Sequence, residues 1–285
     1  MSIGRLRNFR DVGLSLTDGR VVDGHFRRAP SQATAANVWA DLSMASGNPP
    51  ANFYASDPGT FATLNGLRGL YHGGDLGEAA LYLQSLELCT PTAGFVGEYL
   101  LVDILGYYPF VDMDDLNEQP LDNTVTLPRY ESGDGVMVYA VQLTPAVGGG
   151  RFTFTYVDDT GTTRISPTIT CQASSLNIAS FLATGPATAA ANGPFLPLTS
   201  PSLGVRSLTS VTPISANGGL AAFVLCKPLA AHYVYEINTP AERSYLGERP
   251  GPPRILDGAY LSLIVRPAAT IAAGNLVGRA RFIWN

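Results

Sequence analysis

The side chains that most often perform chemistry are sparse in this sequence. Its three histidines are His25, His72 and His232, and none has a carboxylate or a second ligand at metal-binding spacing. The zinc-protease motif HExxH does not occur. We therefore expect neither histidine catalysis nor a histidine-ligated metal.

Four acidic residues crowd one stretch: Asp112, Asp114, Asp115 and Glu118. An EF-hand loop needs oxygen ligands at alternate positions, a glycine at the sixth and a glutamate at the twelfth. This stretch supplies neither of the last two. It favours a solvated acidic loop, and a looser calcium site at a subunit contact stays open as the alternative.

Nucleophile and nucleotide motifs are also missing. GxSxG, GxGxxG and GxxxxGK[ST] do not occur, and the glycines at 148–150 precede a strand pattern, so no helix N-terminus follows them to hold phosphate. A Ser-His-Asp triad has no fixed order in sequence and is not tested by motifs. Only scattered carboxylates such as Asp103, Glu131 and Asp134 remain. We predict a protein that is not an enzyme and uses no cofactor or metal.

Asp103 is the polar residue whose position most needs an explanation. The surrounding run Glu98–Phe110 is almost entirely apolar, which is typical of a strand buried on both faces. An unpaired carboxylate there would have a raised pKa. An ion pair with an arginine or a place at a strand edge explains Asp103 as well as catalysis does.

A cluster of aromatic residues also suggests sugar binding. The residues close in sequence are Tyr107, Tyr108, Phe110, Tyr130 and Tyr139. They alternate with aliphatic residues, so membership of the core is the favoured interpretation.

The elements that position these side chains follow a period of two. Residues 136–143 and 152–157 alternate between two faces, and 162–170 follows a turn cluster at 158–161. The stretch 133–170 therefore predicts two or three successive antiparallel strands. Its aromatic residues Phe152, Phe154 and Tyr156 are the best core candidates.

Further strand patterns continue to the end of the chain. They cover 80–88, 98–110, 205–214, 220–229, 259–266 and 278–284. The dipeptide Asn217-Gly218 predicts a hairpin between the third and fourth of these. Thr239 as N-cap, Pro240 and Glu242 predict one short helix over Pro240–Leu246.

These patterns predict an all-β fold: a jelly-roll-like antiparallel β-sandwich with long loops, one short helix and an extended N-terminal arm. Residues 1–70 form the arm, because breaks such as GNPP and SDPG leave little regular pattern there. Residues 71–285 form the sandwich.

The arm carries the residues that we expect to bind a partner. It is locally basic and contains aromatic residues that suit interface anchors. The predicted partner-binding residues are Arg5, Arg7, Arg10, Arg27, Arg28, Trp39, Phe53, Tyr54 and Phe61. The alternative is that the aromatic residues only cover the sandwich.

The composition fits a protein whose surface is covered by neighbours. Only 14% of the 285 residues are charged, less than the quarter or so usual in soluble domains. The net charge of −5 gives no general attraction to nucleic acid or anionic membranes. Three widely spaced cysteines and the lack of a long apolar run predict a soluble protein made in a reducing cytosol.

Three stretches resemble a family of tailed-bacteriophage virion structural proteins. They are 39–58 (WADLSMASGNPPANFYASDP), 107–141 (beginning YYPFVDMDDLNEQPLDN) and 218–264 (containing GGLAAFVLCKPLA and EINTPAERSYLGERPGPPRILDGAYLSLI). These are packing and turn motifs and carry no catalytic residue. The resemblance implies a place in the virion, after assembly in the host cytoplasm.

A β-sandwich with few charges and a basic arm suits a capsid cement or decoration protein. We expect a homotrimer whose arms extend over major capsid protein subunits, without direct contact to nucleic acid or membrane. Deletion of residues 1–70 should then leave a soluble trimer that no longer binds heads. The competing hypothesis is a tail or neck component, possibly with a receptor- or carbohydrate-binding jelly roll.

Overall fold

The structure is a computed structural model that describes residues 9–77, 79–122, 124, 126–172, 177–183, 193–248 and 251–285. One α-helix, α1, covers Phe9–Thr17, and short 3-10 helices cover Leu42–Met44, Gly66–Arg68 and Ala93–Phe95. The strands are β1 (Val21–Ala29), β2 (Ala40–Asp41), β3 (Ser46–Asn48), β4 (Ala62–Thr63), β5 (Leu81–Cys89), β6 (Gly97–Asp112), β7 (Gln119–Pro120), β8 (Met137–Gln142), β9 (Arg151–Asp158), β10 (Thr163–Ile165), β11 (Ile169–Thr170), β12 (Val205–Ser215), β13 (Leu220–Val234), β14 (Ala241–Ser244), β15 (Arg254–Ile255), β16 (Leu261–Pro267) and β17 (Leu276–Trp284).

The strands form three antiparallel sheets. The first has the order β14-β5-β17-β1-β3, with β15 also on β5, and the second has the order β10-β9-β12-β7, with β11 also on β9. The third has the order β2-β16-β6-β13-β8, with β4 also on β6. The predicted all-β antiparallel sandwich is confirmed.

The core joins these sheets through apolar side chains of their inner faces. One cluster unites the second and third sheets, and Phe152 of β9 meets Phe223 of β13 edge-on at 5.7 Å between ring centres. Another cluster unites the first and third sheets and includes Leu83 and Leu101. Strand β6 contributes to both clusters, and it is almost wholly buried as predicted.

The segment predicted as an extended arm is part of this body over its described residues, 9–70. Strand β1 pairs with β17 over the register Val21↔Ile283 to Arg28↔Leu276, and Phe26 lies in the core. Strands β2 and β4 pair with β16 and β6. The sequence did not predict these strands, because β2 to β4 are only two or three residues long and β1 places the charged residue Arg28 on its buried face.

The prediction of a helix over Pro240–Leu246 is wrong. Residues 241–244 are β14, which pairs with β5 from Ala241↔Leu88 to Ser244↔Ser85. Capping signals stabilise a helix end by only about 1 kcal/mol, so the ladder hydrogen bonds to β5 outweighed them. The α-helix among the described residues is α1, which packs Val12 against Tyr82 and Ile283.

The predicted meander is confirmed only in part. Strands β9 and β10 form the expected hairpin, and the Gly161 amide donates to the carbonyl of Asp158 at 2.9 Å in its turn. Strand β8 pairs instead with β13. The prediction of a hairpin at Asn217-Gly218 is wrong, because the strands on either side of this turn do not pair with each other. Strand β12 pairs with β9 and β7, whereas β13 pairs with β6 and β8.

Candidate interaction surface

Four of the nine residues predicted to bind a partner lie inside the body. Trp39, Tyr54, Phe61 and Arg28 are buried, so the structure gives them a packing role in this chain. Tyr54 packs edge-on against Tyr107 at 4.9 Å between ring centres. The alternative, that these aromatic residues cover the sandwich, describes their positions.

The remaining predicted residues divide into exposed and undescribed ones. Phe53 is 69% exposed, and Arg10 is exposed on α1. Arg27 is exposed on β1 and donates from Nε and Nη2 to Oδ1 of Asn275 at 3.0 and 2.6 Å. Arg5 and Arg7 lie outside the described residues.

A buried carboxylate explains why Tyr54 is held inside. Oδ2 of Asp41 accepts hydrogen bonds from the hydroxyls of Tyr54 and Tyr139, the latter at 2.9 Å, and Oδ1 accepts the Ser43 amide at 2.7 Å. Burial raises the pKa of Asp41, and the Tyr54 hydroxyl opposes that shift. Buried Arg28 lies nearby and donates to the carbonyl oxygen of Pro49 at 2.7 Å. The network fixes the segment around β2 to the third sheet.

Asp103 has the arginine partner that the sequence left as one explanation. Arg129 donates to both of its carboxylate oxygens, and the Tyr260 amide donates to Oδ1 at 2.9 Å. Burial raises the pKa of Asp103, and Arg129 opposes the shift. These contacts satisfy the carboxylate as a structural ion pair.

The histidines are dispersed in the structure as in the sequence. His25 is exposed on β1, whereas His72 and His232 are buried. Nε2 of His232 lies 2.8 Å from the carbonyl oxygen of Ala241, and burial lowers the pKa of this imidazole. Within the described ranges, no group of three or more His, Cys, Asp or Glu side chains is placed to hold a metal ion.

The acidic stretch after β6 is an ordered loop shaped by its own carboxylates. Oδ1 of Asp112 accepts the Asp114 amide at 2.9 Å, and Oδ1 of Asp115 accepts the Asn117 amide at 3.0 Å. Oδ1 of Asp114 accepts the Gly218 amide at 2.9 Å, which ties the loop to the β12–β13 connection. The carboxylates thus act as turn acceptors in a solvent-facing loop.

The aromatic cluster considered for sugar binding lies mostly in the core. Tyr107, Tyr108 and Tyr139 are buried and Phe110 is half-buried. Tyr130 is half-buried against the core cluster that unites the second and third sheets. Tyr139 stacks on Phe181 at 4.4 Å between ring centres. These side chains leave little aromatic surface for a ligand.

A different aromatic surface, which the sequence analysis missed, extends from the end of β13. Tyr233, Tyr235 and Ile237, hereafter the Tyr233 strip, are 37%, 76% and 44% exposed. The two tyrosine rings stack at 6.0 Å with 17° between their planes. The signal was present, because the sequence YVYEI continues the period-two pattern beyond Leu229, where the predicted strand ended.

Charged side chains border the Tyr233 strip. The Tyr233 hydroxyl donates to Oε1 of Glu98 at 3.1 Å, and Arg266 forms an ion pair with Oε2 of Glu98 at 2.8 Å. The Asn238 amide donates to the carbonyl of Thr90 at 2.7 Å, so the strip is anchored to the end of β5. The arrangement places two aromatic rings on a rigid base beside a polar edge.

Comparison with known proteins gives no family for this chain. No protein-family model matches it, and no curated protein matches it. A structure of the Gt strain of infectious bursal disease virus is 10% identical, with 93% of this chain and 81% of that chain covered and a TM-score of 0.17. A mutant VP2 protein of the same virus, in derived T=1 particles, is 13% identical, with 93% and 78% covered and a TM-score of 0.16. Neither likeness carries an argument about fold or function.

The Tyr233 strip combines two exposed tyrosines with a charged border formed by Glu98 and Arg266. Aromatic side chains enriched beside a charged rim are typical of protein–protein interfaces. None of the described helices has the length and apolar content needed to span a bilayer.

Proposed function

We propose that this protein is a non-enzymatic structural component of a bacteriophage virion, where it acts as a cement or decoration protein. In this proposal it assembles as a homotrimer on the head and bridges neighbouring subunits of the major capsid protein. Its role is mechanical: it stabilises the shell against the outward pressure of packaged DNA.

The Tyr233 strip is the observation that carries the proposal. Tyr233 and Tyr235 present stacked, solvent-facing rings, and Glu98 and Arg266 supply a charged border. Tyrosine and arginine are enriched among the residues that dominate binding energy at interfaces. We assign this strip to the contact with a neighbouring virion subunit.

In this proposal the residues that contact a neighbouring subunit lie on the β-sandwich and not on an extended N-terminal arm. Residues 21–29 are a strand of the first sheet, so they cannot extend over a neighbour without breaking that sheet. Exposed Phe53 and Arg27 remain available as contact residues from the predicted set. Each contact with a neighbouring subunit would be stabilised by about 25 cal/mol for every Å² of apolar surface that it buries.

Two features of the sequence support the same proposal. Only 14% of the residues are charged, which suits a surface that is covered after assembly. The stretches 39–58, 107–141 and 218–264 resemble virion structural proteins of tailed phages. In the structure these stretches contain β2, the last six residues of β6, most of β8 and all of β13, which belong to the third sheet.

Imaging of labelled particles tests the proposal. Virions that carry an epitope tag on this protein should show the label on the head at regular positions, and the purified protein should elute from size exclusion as a trimer. Label that remains with detached tails would favour the tail or neck alternative, and label in neither part would overturn a virion role. A monomer at high concentration would overturn the trimer.

A further inference from the structure

The molecule contains a cleft that the assembly proposal does not use. Its volume is about 670 Å³, within the range of roughly 300–1,000 Å³ typical of small-molecule sites. The wall comes from β1, the end of β3, the 3-10 helix Gly66–Arg68, the following stretch to Asp75, and Gly258. Polar and aromatic side chains in the lining are His25, Asn48, Asn65, Tyr71, His72 and Asp75.

Close backbone packing builds the cleft in advance of any ligand. A Cβ atom on Gly24 would lie 1.9 Å from the carbonyl oxygen of Tyr71, so β1 is pressed against the residue before His72. A Cβ atom on Gly66 would lie 2.7 Å from the carbonyl oxygen of Ala259. Only glycine allows these approaches, and they fix two walls of the cleft relative to each other.

Hydrogen bonds hold the polar side chains in place. Oδ1 of Asp75 accepts the Gly258 amide at 2.6 Å, and Nδ2 of Asn48 reaches the carbonyl oxygen of His25 at 3.5 Å. Nε2 of His72 lies 3.1 Å from the carbonyl oxygen of Ala259. That contact assigns the proton to Nε2 and makes Nδ1 an acceptor.

The His72 acceptor lacks a partner. This side chain is 4% exposed, and its Nδ1 atom has no hydrogen-bond partner among the described atoms. A buried acceptor without a donor is costly, since it loses its bond to water and gains none from the protein. Nδ1 is enclosed by the protein, so it does not face the cleft.

Tyr71 supplies an apolar surface at the mouth. This residue is 60% exposed, although it stands beside polar groups. The face of an aromatic ring carries partial negative charge, so it attracts the weakly positive C–H groups of a flat, partly apolar ligand. The described lining contains no arginine or lysine, and Asp75 is its one carboxylate, so phosphates and carboxylates lack a cationic partner.

We propose that this cleft binds a neutral saccharide. The C–H face of a sugar ring would lie on Tyr71, and its neighbouring hydroxyl groups would bond to Asn48, Asn65 and Asp75. An amide side chain accepts through its oxygen and donates through its nitrogen, and a carboxylate accepts at two oxygens, which matches adjacent sugar hydroxyls. The site would attach the particle or the free protein to surface glycans, and it does not depend on the assembly role.

Binding of short neutral oligosaccharides to the purified full chain tests the proposal. Maltotriose, cellotriose and N-acetylchitotriose would each be added at millimolar concentration, with saturation-transfer NMR and calorimetry as the two measurements. We expect at least one of them to bind with millimolar or better affinity. Absence of both saturation transfer and heat with all three sugars would overturn the proposal.

Variants then assign the binding to the cleft. Tyr71→Ala should weaken binding about tenfold, as loss of a ring contact of about 1.4 kcal/mol implies, whereas Tyr71→Phe keeps the ring and should bind as wild type does. Asn65→Ala should weaken binding several-fold. The matched control is Leu203→Ala, which removes an exposed apolar side chain outside the lining. Equal binding by wild type and Tyr71→Ala would overturn the site.

Discussion

Arg129 and Asp103 form a bidentate ion pair inside the protein. Nε of Arg129 lies 2.8 Å from Oδ2 of Asp103, and Nη2 lies 2.7 Å from Oδ1. The two side chains are 6% and 0% exposed. The pair links the strand β6 to the segment before β8, and Nη2 also donates to the carbonyl oxygen of Ile104 at 3.1 Å.

Removal of the arginine should destabilise the fold strongly. Arg129→Ala leaves the Asp103 carboxylate buried without its counterion, and we expect the free energy of unfolding to fall by about 3–5 kcal/mol in urea titrations. Arg20→Ala is the control, because its ion pair with Asp18 is exposed and should contribute less than about 1 kcal/mol. Equal losses in the two variants would contradict the role of the buried pair.

The Asp41 network makes a second stability prediction. Tyr54→Phe removes a hydroxyl that donates to the buried carboxylate, so we expect the free energy of unfolding to fall by about 1.5–3 kcal/mol. Tyr235→Phe removes a hydroxyl from an exposed ring and should change it by less than about 0.5 kcal/mol. Chemical denaturation of both variants provides the measurement. An unchanged free energy of unfolding in Tyr54→Phe would refute the stabilising role of the Asp41 network.

Asp158 predicts how stability changes in acid. The Thr160 side chain and the Arg164 guanidinium bond to this carboxylate and hold its pKa below the ordinary value, although burial opposes them. The folded state therefore binds this proton less readily than the unfolded chain, whose aspartate pKa is about 3.9. The stabilisation is complete above about pH 5 and is lost as the pH falls towards the folded-state pKa.

A carboxamide at this position tests that pH dependence. Asp158→Asn should flatten the fall in melting temperature between about pH 5 and pH 2, because the titrating group is gone. Asp57→Asn serves as the control, since Asp57 is an exposed carboxylate. If the melting temperature of Asp158→Asn fell as steeply in acid as that of the wild type, other groups would govern the acid dependence.

Residues 1–70 should be required for folding. Their deletion removes β1 to β4, exposes the edge of β17 and opens the core around Phe26, so we expect an aggregated or unfolded product in circular dichroism. This outcome replaces the soluble trimer expected from an extended arm. A folded, soluble product would restore the arm hypothesis.

Two phenylalanines within that segment give a matched point test. Phe26→Ala should lower the free energy of unfolding by about 3–5 kcal/mol, because Phe26 lies in the core cluster of the first and third sheets. Phe53→Ala should change it by less than about 0.5 kcal/mol, because Phe53 is exposed. Similar values for the two would contradict the placement of β1.

The Tyr233 strip predicts an assembly defect without a folding defect. The double variant Tyr233→Ala/Tyr235→Ala should keep the wild-type melting temperature within a few degrees, because Tyr235 is 76% exposed and Tyr233 is 37% exposed. It should nevertheless lose at least about tenfold in copies per particle. Quantitative gel analysis of purified virions measures the incorporation. Ile165→Ala, an exposed apolar change elsewhere, should incorporate normally. Full incorporation of the double variant would remove the strip from the proposal.

Local patterns sufficed where a strand's own side chains define its faces. Alternation around Phe152, Phe154 and Tyr156 predicted both β9 and its buried face, and the apolar run around Asp103 predicted β6. An ion pair with an arginine was also among the expectations for Asp103. The sequence could not say that the arginine is Arg129, because the two residues are 26 positions apart and the path of the chain between them is not specified locally.

Patterns failed where distant contacts outweighed local preference. Helix-capping residues at Thr239 and Glu242 predicted a helix, yet β14 completes the hydrogen bonds of β5. The buried Tyr54 looked like an interface anchor because nothing near it in sequence indicates the Asp41 carboxylate in its final position. The Tyr233 strip was missed because exposure of its rings depends on which face of β13 the sheet covers.

The sequence by itself determined that this protein is built of strands, with a period of two in its apolar residues, and that only 14% of its residues are charged. The tertiary structure alone decided which strands pair, that residues 21–29 join the last strand of the chain, and which aromatic rings face solvent. The reason is physical: alternation is a property of neighbouring residues, whereas strand pairing and burial depend on contacts between residues far apart in the chain.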